Sequence, residues 1–110
     1  MDSKFQIVFL EEAIDFLNEQ EPKVRKKIFY NLDKARYIND PKIFKKFTEE
    51  IWEFRVKFNR LQYRLFAFWD KKDNSRTLVI STQGIIKKTG KVSKSEIEKA
   101  KKIRSGYLNY

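Results

Sequence analysis

The spacing of hydrophobic positions changes several times along the chain, and each change predicts a different element. Phe5 to Phe9 is a short β-branched and aromatic run that is typical of a strand. From Glu11 the apolar residues recur at helical spacing. Pro22 then suits the first turn of a second helix. The apolar positions of this second helix share one stripe: Val24, Ile28, Leu32 and Ala35. Two helices joined by a short break predict an αα-hairpin.

The middle of the chain changes to strand character. Residues 43–47, which include Ile43, Phe44 and Phe47, are expected to form a short packed turn. Three segments rich in aromatic and β-branched residues then predict strands: Ile51 to Lys57, Gln62 to Asp70 and Arg76 to Thr82. Asn59-Arg60 suits a tight hairpin connection, although Asn-Gly would be the stronger turn signal.

The last part of the chain predicts a loop followed by a helix. We expect a loop from Gly84 to Gly90, and Ser93 and Glu96 match the capping box that opens a helix. The resulting order is β-α-α-β-β-β-α. It predicts an α+β fold in which an antiparallel sheet packs on the N-terminal helical hairpin and a C-terminal helix. At 110 residues, we expect residues 1–110 to form a single domain.

A two-residue turn at Asn59-Arg60 fixes which side chains share a face of the hairpin. Residues directly opposite one another point to the same side. One face then carries an apolar set: Trp52, Phe54, Val56, Tyr63, Leu65 and Ala67. The other face carries a polar set: Glu53, Arg55, Lys57, Gln62 and Arg64. Phe66 and Phe68 also lie on this polar face, where we expect the C-terminal helix or a loop to cover them.

The pairing places two arginines directly opposite each other. Arg55 and Arg64 repel one another unless negative charge lies between them. That charge is either an anionic ligand, which would make the face a binding site, or Glu53 with nearby acids in a surface salt network.

The composition limits which chemistry is available. The chain contains no cysteine and no histidine, so thiolate nucleophiles, cysteine zinc sites and histidine acid/base catalysis are excluded. The carboxylates of the second half are scattered, so we expect no metal site and no cofactor. The N-terminus resembles no signal peptide, and the longest apolar run, Leu65 to Trp69, is too short to span a membrane. We therefore expect a soluble, cytoplasmic protein without a membrane partner.

Charge is distributed unevenly between the two halves of the chain. The net charge is +10, yet the first 50 residues carry ten basic and ten acidic side chains, so the whole excess lies in residues 51–110. Such a one-sided basic field is typical of nucleic-acid binding, although a solubilising lysine surface is the alternative. Lys87 and Lys88 add positive charge between Gly84 and Gly90, and Lys91 adds a further charge directly after Gly90. Val92 follows Lys91, so this segment is not a Walker A loop.

Several of these segments together resemble one known family. They are Trp52-Glu53-Phe54-Arg55, Tyr63-Arg64-Leu65-Phe66, the run from Gly84 to Thr89, and a last helix with Ala100, Arg104 and Tyr107. In order and spacing they resemble RelE/ParE-superfamily toxins, especially the HigB-like, phage-related branch. The resemblance implies a RelE-like fold and a ribosome-dependent, metal-independent mRNA endoribonuclease. It also implies a cognate helix-turn-helix antitoxin, and the ribosome and mRNA as partners.

The resemblance also implies roles for individual residues. Arg55, Arg64, Lys87, Lys88 and Glu53 form the implied catalytic set. An implied RNA-binding set surrounds it: Lys57, Gln62, Lys91 and Arg104.

The chain departs from the family pattern at two positions. Glu53 replaces a lysine of RelE-like members, and Gln83 replaces a histidine common in HigB-like relatives. Glu53 or a neighbouring lysine is then the candidate base. Two other functions stay open: a ParE-like inhibitor of DNA gyrase, and a non-catalytic phage accessory or binding protein.

Overall fold

The computed structural model describes residues 5–71, 76–80, 85–87 and 93–109. The helices are α1 (Glu11–Asn18), α2 (Pro22–Ala35) and α3 (Lys94–Leu108). The strands are β1 (Gln6–Phe9), β2 (Phe44–Lys46), β3 (Trp52–Phe58), β4 (Leu61–Asp70), β5 (Thr77–Ile80) and β6 (Ile85–Lys87). The α+β class and the RelE-like arrangement of helices around one sheet are confirmed. The polar run from Lys71 to Ser75 is typical of a turn in the sequence, and all of it except Lys71 lies outside the described residues.

The strands form one sheet in the order β1-β5-β4-β3-β2, and β6 pairs with β4. All pairs that involve β2, β3 or β4 are antiparallel, as expected. The β1–β5 pair is parallel, so the sheet as a whole is mixed. Two parallel strands cannot be joined by a short hairpin turn. Here α1, α2 and β2 to β4 lie between β1 and β5 in the chain, so β1 can run parallel to β5 at the edge of the sheet.

Two predicted connections are strands instead. The turn expected at residues 43–47 contains β2, which pairs with the start of β3. Part of the loop expected from Gly84 to Gly90 is β6, which pairs with Gln62, Tyr63 and Arg64 of β4. Both strands have only three residues, too few to show alternation in the sequence, and partners elsewhere in the chain supply their hydrogen bonds.

The β3–β4 hairpin has the predicted register. Arg55 pairs with Arg64, and Phe58 pairs with Leu61 across the turn. Asn59 and Arg60 have φ of 50° and 68°, the left-handed conformation that a type I′ turn requires at both central residues. The twist of this turn matches that of the strands, which holds the two strands in register.

The two faces of the sheet are covered by different helices. On the first face, α1 and α2 bury the apolar residues of the hairpin strands, and the predicted α2 stripe is buried with them. On the second face, Ala100 of α3 packs with Ile51 and Phe66, and Tyr107 lies edge-on to Phe68. This confirms that the C-terminal helix covers Phe66 and Phe68. The hydroxyl of Ser93 accepts a hydrogen bond from Glu96 N, which confirms the predicted N-cap of α3.

Across the described residues, no helix is long and apolar enough to cross a membrane.

Candidate functional site

The polar face of the β3–β4 hairpin continues beyond the part that α3 covers. Arg55 and Arg64 lie here at paired positions. Their exposures differ: the side chain of Arg64 is 7% exposed, whereas that of Arg55 is 31% exposed. A substrate approaching this face therefore meets Arg55 before it meets Arg64.

Glu53 supplies the negative charge that the two arginines need. One of its carboxylate oxygens accepts a hydrogen bond from Arg55 Nε at 2.5 Å. Its other oxygen lies 3.9 Å from Arg64 Nη1. The Glu53 side chain is fully buried, so the salt network between these residues is internal and not on the surface. Of the two explanations for the arginine pair, the structure supports neutralisation by Glu53.

Burial also changes what Glu53 can do chemically. A base must come within hydrogen-bond reach of the proton that it removes. With no exposed surface, Glu53 has no contact with solvent in this conformation. Its geometry suits holding the two guanidinium groups in place.

Arg55 keeps capacity to bind an anion. A guanidinium group has five N–H donors, and the Nε–H of Arg55 is committed to Glu53. The remaining donors form no hydrogen bond with the described residues, and the side chain is partly open to solvent. The arrangement therefore presents an oriented guanidinium that can donate to phosphate oxygens.

A row of polar positions extends this site toward the hairpin turn. Lys57 pairs with Gln62 across β3 and β4, and Gln62 pairs with Lys87 across β4 and β6. Lys57 is exposed, and Gln62 accepts a hydrogen bond from Arg64 Nη2 at 2.8 Å. Lys87 thus belongs to a strand and occupies a register position beside Gln62. Lys88 and Lys91 lie outside the described residues.

Arg104 lies apart from this group. It forms an ion pair of 3.4 Å with Glu50, next to the β4 end that carries Asp70, whereas Gln62 is at the opposite end of the strand. Glu49, Glu50 and Asp70 line the same cavity of about 440 Å³. The structure therefore places Arg104 beside carboxylates and does not bring it next to the arginine pair.

A further concave site was not predicted from the sequence. We call it the aromatic pocket, a cavity of about 640 Å³ at the C-terminal end of α2 whose walls include Phe44, Trp52, Trp69 and Arg76. Alternation assigned Trp52 to the core face, which we expected the helices to cover. The sequence feature that could have indicated this pocket is that both tryptophans of the chain lie near the same end of the hairpin strands.

Comparison with known proteins assigns this α+β chain, with its basic sheet face, to a protein family. Residues 15–105 match the family model described as "Phage derived protein Gp49-like (DUF891)". The chain therefore belongs to the Gp49-like family of phage-derived proteins. This family is associated with the RelE/HigB-type toxins of toxin–antitoxin systems, which confirms the resemblance at that level. Neither the curated proteins nor the solved structures contain a match.

Proposed function

We propose that this protein is a HigB-like toxin that cleaves mRNA on the ribosome in the cytoplasm and is neutralised by a cognate helix-turn-helix antitoxin. The observation that carries the proposal is the Arg55 guanidinium, oriented by buried Glu53 and partly open to solvent beside Arg64. Membership of a family of toxin–antitoxin toxins supports the biological context.

RNA supplies its own nucleophile, which suits a chain without histidine. In the proposed reaction the 2′-oxygen attacks the adjacent phosphorus and the bond to the 5′-oxygen breaks. The products are a 2′,3′-cyclic phosphate and a 5′-hydroxyl, and the proton lost by the 2′-OH balances the one gained by the leaving oxygen. The protein then has to align the 2′-OH and stabilise the phosphorane charge.

Each residue of the site takes a part consistent with its exposure. Arg55 donates hydrogen bonds to the phosphate oxygens. Arg64, which is more deeply buried, adds positive electrostatic potential at the same place. Glu53 is a positioning residue that holds both. Lys57 lies exposed beside them, and with Lys87, Lys88, Lys91 and Gln62 it is proposed to hold the neighbouring phosphates.

Controlled expression followed by primer extension of a reporter mRNA tests the proposal. Wild-type protein is expected to arrest growth and to produce cuts within translated codons. Arg55→Ala should lower cleavage about 100-fold or more, as expected for removal of a charged donor from a phosphorane. Arg25→Ala on α2 is the matched control, because it removes the same side chain from the helical side of the molecule.

Purified components separate the remaining alternatives. Cuts should appear with ribosomes present and disappear without them. A folded Arg55→Ala variant that cuts as well as wild type would falsify the proposal. Intact mRNA combined with DNA damage would identify the ParE-like gyrase inhibitor, and a lack of toxicity would identify a non-catalytic binding protein.

A further inference from the structure

The aromatic pocket lies on the opposite face of the sheet from Arg55 and Arg64. Trp52 and Trp69 belong to the apolar face of the hairpin, and both remain partly exposed where α2 ends at Ala35. A cavity of about 640 Å³ falls within the size range of small-molecule sites. It therefore forms a site separate from the arginine pair.

Ring contacts hold the aromatic wall of the pocket in place. Phe44 stacks on Trp52 with centroids 4.9 Å apart and on Phe54 with centroids 4.4 Å apart. Trp69 lies edge-on to Trp52, with centroids 5.9 Å apart at 81°. Because these contacts already fix the rings, a planar ligand stacking here loses little of its binding energy to side-chain ordering.

Positive charge surrounds the same rings. The guanidinium of Arg76 lies 4.9 Å from the centre of the Trp69 ring, and Lys46, which pairs with Trp52, lines the pocket from β2. Within the described ranges neither of these two cations forms an ion pair. The acid in the wall is Asp40, and its carboxylate accepts a hydrogen bond from Lys42 N. With two cations against one carboxylate, the pocket offers aromatic surface together with a net positive charge.

We infer that the aromatic pocket binds a nucleotide of single-stranded RNA, with its base against the tryptophans and its phosphate near Arg76 and Lys46. Stacking suits any base, because every base has a π-face, and cations beside the stacking platform hold the backbone. The ligand class follows from combining a flat apolar wall with net positive charge. This binding does not require the cleavage proposed above.

The chain provides its own reporter for this site. Trp52 and Trp69 are its only two tryptophans and both line the aromatic pocket, so intrinsic tryptophan fluorescence responds to a ligand bound there. Trp69 also lines the cavity beside Arg104, so the pocket variants described below are needed to assign the signal. Titration with a short single-stranded RNA or with uridine monophosphate should quench the emission in a saturable way. Uridine, which has no phosphate, and inorganic phosphate, which has no ring, should each bind at least about tenfold more weakly than the monophosphate.

Charge reversal at exposed positions tests the assignment without disturbing the core. Arg76→Glu and Lys46→Glu should each weaken quenching by the RNA about tenfold. Lys23→Glu makes an equal charge change at the opposite end of α2. It should change the RNA affinity obtained from quenching by less than about a factor of two, because surface charges farther away than about 10 Å are screened.

Two results would overturn the inference. One is RNA quenching that both pocket variants leave unchanged. The other is quenching by a glutamate-rich aromatic peptide but not by nucleotides, which would make the pocket a peptide site. Quenching is measured without ribosomes and reports binding alone, so failure of this inference and failure of the cleavage proposal give different readouts.

Discussion

Individual residues decide whether two arginines can face each other on one sheet. Arg64 is almost entirely buried and pairs directly with Arg55, an arrangement that like charges oppose. The buried carboxylate of Glu53 makes it possible, because one negative charge contacts both guanidinium groups. The same contacts fix the orientation of Arg55, so stability and the proposed chemistry depend on the same carboxylate.

Neutralising this carboxylate should therefore cost considerable stability. In Glu53→Gln the side chain keeps its shape but loses the buried negative charge that lies between Arg55 and Arg64. We expect the free energy of unfolding, measured with urea, to fall by about 3 kcal/mol, the low end for a broken buried ion pair because Arg55 is partly solvated. Glu50→Gln is the matched control, because its ion pair with Arg104 is on the surface and is worth about 1 kcal/mol or less. Equal losses in the two variants would contradict this account.

The β3–β4 hairpin illustrates how turn geometry acts at the scale of an element. Asn59 tolerates the left-handed conformation, whereas Arg60 at φ 68° has no such preference. Arg60→Gly should therefore raise the free energy of unfolding by about 0.5–1 kcal/mol, because glycine relieves the strain of a type I′ turn. Arg60→Ala removes the same side chain without relieving the backbone. A gain of the same size in that variant would assign the effect to charge and not to the turn.

Helix α3 should respond to changes on its buried side only. Ala100 has no exposed surface where it meets Phe66 and Ile51, so the contact leaves no room for a larger side chain. Ala100→Leu is expected to lower the free energy of unfolding by about 1–3 kcal/mol through overpacking. Lys102→Leu, on an exposed position of the same helix, should change it by about 0.5 kcal/mol or less. Thermal unfolding of both variants checks this, and an unchanged Ala100→Leu variant would argue against close packing of α3 on the sheet.

The elements also show how much the sequence alone could predict. Alternation over seven residues and a two-residue turn determine the register of β3 and β4, so the Arg55–Arg64 pair could be derived. The strands β2 and β6 could not be derived from the sequence. A segment of three residues is too short to show alternation, and the hydrogen-bond partners of both strands lie elsewhere in the chain. The burial of Glu53 was also inaccessible, since the covering of its face is a tertiary feature. The roles proposed for all of the site residues stay predictions, and Lys88 and Lys91 also lie outside the described residues.

At the scale of the whole molecule, each face of the sheet carries positive charge at a site for which we propose RNA as the ligand. The helical side holds the aromatic pocket, and the opposite side holds the arginine pair. The excess charge of residues 51–110 also includes lysines on α3 that belong to neither site, such as Lys94 and Lys102. Charges of this kind attract a polyanion from a distance without taking part in chemistry.

Neutralising those α3 lysines should therefore slow binding and spare cleavage. In a Lys94→Gln, Lys102→Gln double variant, RNA affinity should fall and depend less steeply on salt, by about 0.7 in the logarithmic slope for each lysine that contacts phosphate. Cleavage at saturating ribosome and mRNA should stay near wild type, because Arg55 and Glu53 are untouched. Lys23→Gln with Lys26→Gln on α2 removes the same charge from the half of the chain where acidic and basic residues balance. If that control lowers affinity equally, net charge and not its placement on α3 governs association; if the α3 variant abolishes cleavage at saturation, its lysines belong to the active site.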